Sequence, residues 1–474
     1  MRPLILPLLL GLFAGDALAQ WRGPDGAAGP AAHAVMERIA RAAEDGLDPR
    51  HYPLPDPADP LFDQRMTASV AAFVADLTGG RVRELASRPD IVRGGRAPDA
   101  TLTALAIAAA PDPAAAIGAL EPMSAAYRAV RAALARETAA IATAPPPFEL
   151  GGTIEPDTED PRVPAIRERL GAAGEGLLYD APLQEAVRRY QTAQGLAADA
   201  RIGRNTQAAL NEGPAARARR LRVALDMLRD PPTWAGPRIE VNVAEQYLRV
   251  LDGEATALEM RVVVGSRARP TPMLRTALTS AQFNPPWGVP MRNAREDLLP
   301  KLRANPEAVI ARGFRAYQSI DGERVEVDIR SVDWHAVSRD HFPYILRQDA
   351  GETNALGRIK FVMPNRDDIF MHDTPERALF AREQRFYSSG CIRLERPYDL
   401  LAYAFGWDRA RADAAIARGT TFGIPAQRSL PVIIAYRTAI VGADGSVNLR
   451  PDAYGLDEAY ARLLDRQPTR IATR

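Results

Sequence analysis

The hydrophobic period of this chain changes once, at Arg238, from helical spacing to strict alternation, and that switch divides what it can fold into. Before it, Ala32 to Ala43 (AHAVMERIARAA) sets Val35, Ile39 and Ala43 four residues apart, on one face of a helix, and Gly46-Leu47-Asp48-Pro49 stops it. Met66 to Leu85 and Ser124 to Ile141 repeat the pattern. Ala144 to Pro161 (APPPFELGGTIEPDTEDP) is rich in proline and acid, has no period, and reads as a linker or surface crossing. Val163, Ile166 and Leu170, then Leu183, Val187 and Tyr190, predict two short helices, with a third after Thr206. After Arg238 the stretch Ile239-Glu240-Val241-Asn242-Val243 alternates. Tyr247 to Leu251, Met260 to Val264, Thr276 to Phe283 and Ile359 to Met363 predict further strands, with Asp252-Gly253 as a hairpin turn. Pro285 to Ala350 interrupts them as a long, charged, partly helical insertion, the size of a lid. The pattern predicts a multidomain α+β protein with a helical region over 20–143, a linker over 144–161 and a small three-helix unit over 162–212. A β-rich unit follows over 238–435, its lid at about 285–350, and then a carboxy-terminal extension over 436–474.

The first nineteen residues stand apart. Arg2 supplies a positive start, Leu4 to Ala14 an apolar run, and Ala17-Leu18-Ala19 a small-residue cleavage site before Gln20. The run is too short to span a bilayer, so 1–19 is expected to be a cleaved export signal that leaves no membrane anchor. A net charge of +1 lacks the basic footprint of a nucleic-acid partner. Of 60 basic residues only Lys301 and Lys360 are lysine, a bias of genomic composition rather than of chemistry.

One cysteine occurs in 474 residues, Cys391, in Ser388-Ser389-Gly390-Cys391-Ile392-Arg393-Leu394. An exported chain normally pairs its cysteines or has none, so a single one is a candidate reactive thiol. His372 lies upstream in Met371-His372-Asp373-Thr374-Pro375. A free thiol behind a Ser-Gly turn with a histidine in reach is the minimum set for acyl transfer through a thioester. Five scattered histidines and one cysteine lack metal-ligand spacing, so neither a metal nor another cofactor is expected. His33 and His51 lie far from the thiol in sequence and read as surface or packing residues.

Several stretches together resemble the large L,D-transpeptidases. They are Val262-Val263-Val264-Gly265 with Arg269-Pro270-Thr271-Pro272, Phe283-Asn284-Pro285-Pro286-Trp287-Gly288, and Ala294 to Leu302. Gly357-Arg358-Ile359-Lys360-Phe361, His372-Asp373-Thr374-Pro375 and Ser388 to Leu394 complete the set, over about residues 160–430. The unit over 162–212 likewise resembles the three-helix peptidoglycan-binding domain, with Ala200 where that domain usually has glycine. The resemblance implies a helical scaffold, a peptidoglycan-binding-like domain and a catalytic β-sandwich carrying a lid.

It also implies a periplasmic cell-wall enzyme that joins stem peptides in two steps. The donor tetrapeptide loses D-alanine to form a thioester. The amine of a second stem then resolves it into a 3→3 cross-link. Carbapenems react with family members at the same cysteine. Carried onto this chain, Cys391 is the nucleophile, His372 the base, the main chain at Asp373 its orienter, and the Gly390 and Cys391 N–H groups the oxyanion donors. Arg393 anchors the turn or meets a substrate carboxylate. Ser388, Ser389, Tyr387, Asn284, Trp287 and Tyr344 are candidates for the substrate groove, while His335 and His341 read as structural. Ser389 replaces the histidine found in many members, as in the large periplasmic type. The same residues would serve a hydrolase if water resolved the thioester, and an inactive peptidoglycan-binding scaffold would show damage at the Cys/His pair.

Overall fold

The computed structural model describes residues 20–83, 88–122, 124–234, 236–253 and 255–466. The export signal read over 1–19, Leu85, and the end of the carboxy-terminal tail lie outside them. Helices Pro30–Ala40, Phe62–Gly79 and Ala100–Ala108 share one core, built on Val35, Ile39, Met66, Val70, Phe73 and Ile107. Ser124 starts the next helix, Ala125–Ala140, by accepting the Tyr127 N–H at 3.1 Å. That helix turns away from the first core. Its Tyr127, Val130 and Leu134 pack on Leu221 and Leu225 of helix Pro214–Met227, an element the sequence pattern did not single out.

The small unit has helices Val163–Leu170, Ala181–Gln194 and Arg204–Asn211 around Val163, Ile166, Tyr179, Leu183, Val187 and Ile202. Part of the stretch read as a linker belongs to this core. Ile154 is 2% exposed and exchanges backbone hydrogen bonds with Ile202 at 3.3 and 3.1 Å. One apolar residue among prolines and acids has no period to betray it. Ala200 sits at φ 62°, a left-handed conformation that costs an alanine about 1–2 kcal/mol and a glycine little.

The β-rich unit has strands β1 (Pro237–Asn242), β2 (Tyr247–Asp252), β3 (Ala255–Gly265) and β4 (Leu274–Phe283). After the lid come β9 (Ile359–Val362), β10 (Met371–His372), β11 (Phe386–Ser388), β12 (Ile392–Leu394) and β13 (Phe422–Ala435). They form one nine-stranded sheet in the order β11-β3-β12-β10-β9-β4-β13-β1-β2, and β3 pairs with β2 as well, so the sheet closes on itself. β3 achieves this by length: its first half pairs with β2, its last residues with β12 and β11. Alternate residues such as Ile239, Val241, Leu248, Val250 and Phe361 fill the interior.

The lid is more ordered than its charge suggested. It contains β5 (Trp287–Gly288), β6 (Phe314–Ile320), β7 (Glu323–Val327) and β8 (Tyr344–Gln348) as a separate four-stranded sheet, with a core around Leu298, Leu302, Phe314, Trp334 and Leu346. β7 is exposed on both faces over most of its length, and its alternation is only two valines, Val325 and Val327, among Glu323, Arg324 and Glu326, too short a pattern to read as a strand. The extension after β13 folds as a hairpin, β14 (Ala439–Val441) with β15 (Val447–Leu449), and then helix Leu456–Asp465. The hairpin packs on helices Ala125–Ala140 and Pro214–Met227, and Tyr460, Ala461 and Leu464 pack on Val223 of the latter. The extension thus clasps the helical region to the β-rich unit. Overall the architecture is a helical amino-terminal region, a small three-helix unit and a β-rich unit with an inserted lid.

Candidate active site

Strand pairing brings thiol and imidazole into one neighbourhood. β12 runs parallel to β10 with His372 opposite Arg393. Cys391 immediately precedes β12, and the charges of Arg393 and Lys360 act on both its thiol and the His372 imidazole, which puts all three side chains in one neighbourhood. β9 adds a fourth, because Lys360 pairs with His372 in the antiparallel register. Lys360 was not singled out from sequence, although it is one of only two lysines and stands in a quoted motif.

His372 is buried, 4% exposed. Its Nδ1 lies 2.5 Å from the Asp373 carbonyl oxygen. A carbonyl can only accept, so Nδ1 carries the hydrogen and Nε2 of the neutral ring keeps its lone pair, with the Leu356 backbone as a second polar neighbour of the ring. Burial, then the charges of Arg393 and Lys360, hold the imidazole pKa down at about 3. Cys391 is half-buried, and its Sγ makes a weak 3.9 Å contact with the Asp368 carbonyl. Burial pushes the thiol up to about 11, against the opposite pull of the Phe370 N–H, Lys360 and Arg393. Both groups are therefore neutral at pH 7, a thiol and a free base rather than a preformed ion pair.

The Asp373 carboxylate works elsewhere. Its Oδ2 accepts the Arg358 N–H at 2.9 Å, and it fills the space where a Cβ on Gly357 (φ 62°) would lie. Arg393 donates to Glu376 at 2.5 Å, while the Glu376 carboxylate remains 58% exposed.

The nucleophile turn is fastened from two sides. Ser388 is buried beneath it, its Oγ donating to the Cys391 carbonyl at 2.5 Å and accepting the Gly390 N–H at 3.2 Å. This corrects two expectations. Ser388 holds the turn rather than facing a groove, and the Gly390 N–H points inward at Ser388. The Cys391 N–H has no acceptor among the described residues. Gly390, at φ 122°, has Ile369 Cδ1 only 3.2 Å from where a Cβ would stand, so the turn needs glycine. Behind it, buried Thr271 donates from Oγ1 to the Gly390 carbonyl at 2.7 Å and accepts the Gly265 N–H at 2.8 Å. In front, Ser389 is exposed, and its Oγ accepts from Arg269 Nη1 at 2.8 Å and from Asn293 Nδ2 at 2.9 Å. Arg269 in turn grips Asp297 at 2.6 and 2.8 Å and Glu296 at 2.6 Å, both on the lid.

Three other candidates lie away from the turn. Asn284 is 2% exposed at φ 45° and donates to the Ile416 and Thr420 carbonyls at 2.9 and 3.2 Å, so it braces a loop instead of lining a groove. Trp287 and Tyr344 pack into the lid core, against Phe314 and Trp334 respectively. Tyr387 is 47% exposed on the approach to the turn. His33, His335 and His341 are exposed and His51 is buried, none near the thiol's strands. Among the described residues no group of three or more His, Cys, Asp or Glu is arranged to hold a metal. Thr271 and Asp297 stand inside quoted motifs and Asn293 one residue before one, but none of the three carried a role of its own in the sequence.

Residues 236–409 match the family profile described as "L,D-transpeptidase catalytic domain". Residues 17–134 match "Scaffold domain" and residues 160–210 "Putative peptidoglycan binding domain". A curated protein of Haemophilus influenzae, "Putative L,D-transpeptidase", is 39% identical over 222 residues, 46% of this chain and 44% of its own length. The chain thus spans less than half of that relative. Among solved structures, an L,D-transpeptidase from Xylanimonas cellulosilytica is 14% identical over 60% of this chain and 99% of its own, with a TM-score of 0.20. One from Mycobacterium smegmatis is 12% identical over 43% of this chain and 60% of its own, with a TM-score of 0.21.

Proposed function

We propose that this chain, whose residues 236–409 match the L,D-transpeptidase catalytic-domain profile, cross-links peptidoglycan stem peptides through a thioester on Cys391. The observation that carries this reading is the register that sets Arg393 opposite His372, with Arg393 and Lys360 acting on both the imidazole and the Cys391 thiol. As Sγ attacks the donor carbonyl, its proton passes to Nε2 of His372. A bond forms between sulfur and carbon, and the oxyanion is met by the free Cys391 N–H. Burial and two neighbouring cations make the imidazolium a strong acid, suited to return the proton to the departing D-alanine nitrogen as the C–N bond breaks. The second stem's amine then attacks the thioester, gives up a proton through His372, and the thiol is restored. Arg393 becomes available to a substrate carboxylate that displaces the exposed Glu376.

The proposed setting follows from the rest of the chain. Residues 1–19 are an export signal to the periplasm, and among the described residues no helix is long and apolar enough to cross a membrane. The unit over 162–212 contacts glycan strands, in line with its family match. The 20–143 helices act as scaffold, with 238–435 as the catalytic domain and the described part of the carboxy-terminal extension, 436–466, as its clasp. The test is product mass spectrometry on a disaccharide-tetrapeptide. A dimer lacking one D-alanine is expected from residues 20–474, and none from Cys391→Ala. An unlinked tripeptide alone would mean a hydrolase, and product from Cys391→Ala would overturn the mechanism.

A further inference from the structure

The carboxy-terminal extension lies outside the matched catalytic domain, yet one of its side chains reaches the loop behind the nucleophile. Tyr454 donates its hydroxyl hydrogen to the Gly265 carbonyl at 2.6 Å and accepts the Thr271 N–H at 3.1 Å. It therefore fixes both ends of the tight 265–271 loop, where a Cβ on Gly265 would collide with the Arg269 carbonyl and the Thr271 nitrogen. Thr271 is the residue whose Oγ1 holds the Gly390 carbonyl.

Tyr454 is itself held. Its N–H donates to Tyr436 Oη at 3.0 Å, and Tyr436 donates to Asp452 Oδ1 at 2.7 Å. Asp452 caps helix Leu456–Asp465 through the Leu456 and Asp457 N–H groups. The two tyrosine rings stack with centroids 5.4 Å apart, and Phe386 of β11 packs on Tyr454 at 5.7 Å.

The geometry of the peptide unit gives this chain of contacts a consequence. In a trans peptide the carbonyl and the following N–H point in opposite directions. The Gly390 carbonyl and the Cys391 N–H belong to one such unit, and no cis bond occurs in the described chain. Pulling the carbonyl onto Thr271 turns the Cys391 N–H outward, away from the interior. With glycine at 390, the backbone alone does little to restrict that rotation.

We propose that Tyr454 is a positioning residue for catalysis: through Thr271 it sets the Gly390–Cys391 peptide so that the Cys391 N–H faces the developing oxyanion. This rests on the reading of Cys391 as an acyl-forming nucleophile.

The test uses Tyr454→Phe in residues 20–474, which removes one oxygen and keeps the ring stack. Three rates are compared with the parent: cross-linking turnover, acylation of Cys391 by a carbapenem, and alkylation of Cys391 by iodoacetamide. Alkylation needs the sulfur but no oxyanion donor. Complete loss of one such donor costs about 10²–10³-fold, so misaiming it is expected to lower kcat and carbapenem acylation about 10-fold, with KM and alkylation within about 2-fold. Unchanged acylation in the variant overturns the proposal and leaves the function standing. An equal loss of alkylation also overturns it, since the whole site has then loosened. A parent enzyme that is alkylated but never acylated would sink the functional reading, and this proposal with it.

Discussion

The nucleophile turn is held by two sets of contacts that differ in kind. Behind it, Thr271, Ser388 and Gly390 form a neutral, buried network, with Thr271 1% exposed. In front, Ser389 meets Arg269 and Asn293, and Arg269 meets lid carboxylates that are 38–41% exposed. A buried neutral hydrogen bond costs a full desolvation penalty when one partner is lost. A part-exposed ion pair is weak and screened by salt. The difference assigns rigidity to the rear of the turn and looser fastening to its front, where the contacts come from the lid.

The largest effect should come from breaking the rear. Thr271→Val keeps the shape but leaves the Gly390 carbonyl and Gly265 N–H unpaired. It should cut kcat by about 10²-fold and destabilise the fold by about 1–3 kcal/mol, read by steady-state kinetics and thermal unfolding. Thr271→Ser should restore most of the activity. A Val variant as active as the parent would erase the distinction between the two sides.

Breaking the front should do less to chemistry. Asp297→Asn should leave kcat within about 3-fold while hydrogen exchange over 291–299 quickens, as it should in 1 M salt. A loss of kcat as large as that of the Thr271 variant would show that the lid contact is part of the rigid frame.

The pH profile sharpens the account of the pair between these supports. With His372 depressed to about 3 and Cys391 raised to about 11, the competent form is neutral thiol with neutral imidazole. Acid removes activity only by protonating His372, and base only by ionising Cys391. Hence kcat/KM should stay level from about pH 5 to about pH 9, without a limb at the ordinary imidazole value. Iodoacetamide alkylation should climb about tenfold per pH unit from neutrality to about pH 10. A bell centred near neutrality would instead mark a thiolate–imidazolium pair.

The smallest effect belongs to a site remote from the turn. Ala200→Gly should relieve the left-handed strain at φ 62° and stabilise the small unit by about 0.5–1 kcal/mol, without touching turnover.

Much of this was legible in the sequence, for reasons particular to each element. β1 to β4 and β9 alternate over four or more residues and could be found. β10 and β12 hold two and three residues, too few to show a period, and only their pairing makes them strands. Cys391 and His372 were visible as chemistry in motifs. Their shared neighbourhood was not, because it depends on a register between distant segments. Asn284 and Ser388 sit in motifs as expected, yet both turn inward, and residue type carries no direction. Tyr454 is 183 positions from Thr271, a separation no local pattern spans.

The most direct measurement is intact-mass analysis of residues 20–474 quenched in acid seconds after mixing with a disaccharide-tetrapeptide. The account predicts an adduct equal to the donor minus D-alanine, lost on treatment with neutral hydroxylamine, mapping to Cys391 and missing from Cys391→Ala. Turnover to cross-linked product with the mass still unmodified, and undiminished in Cys391→Ala, would contradict it.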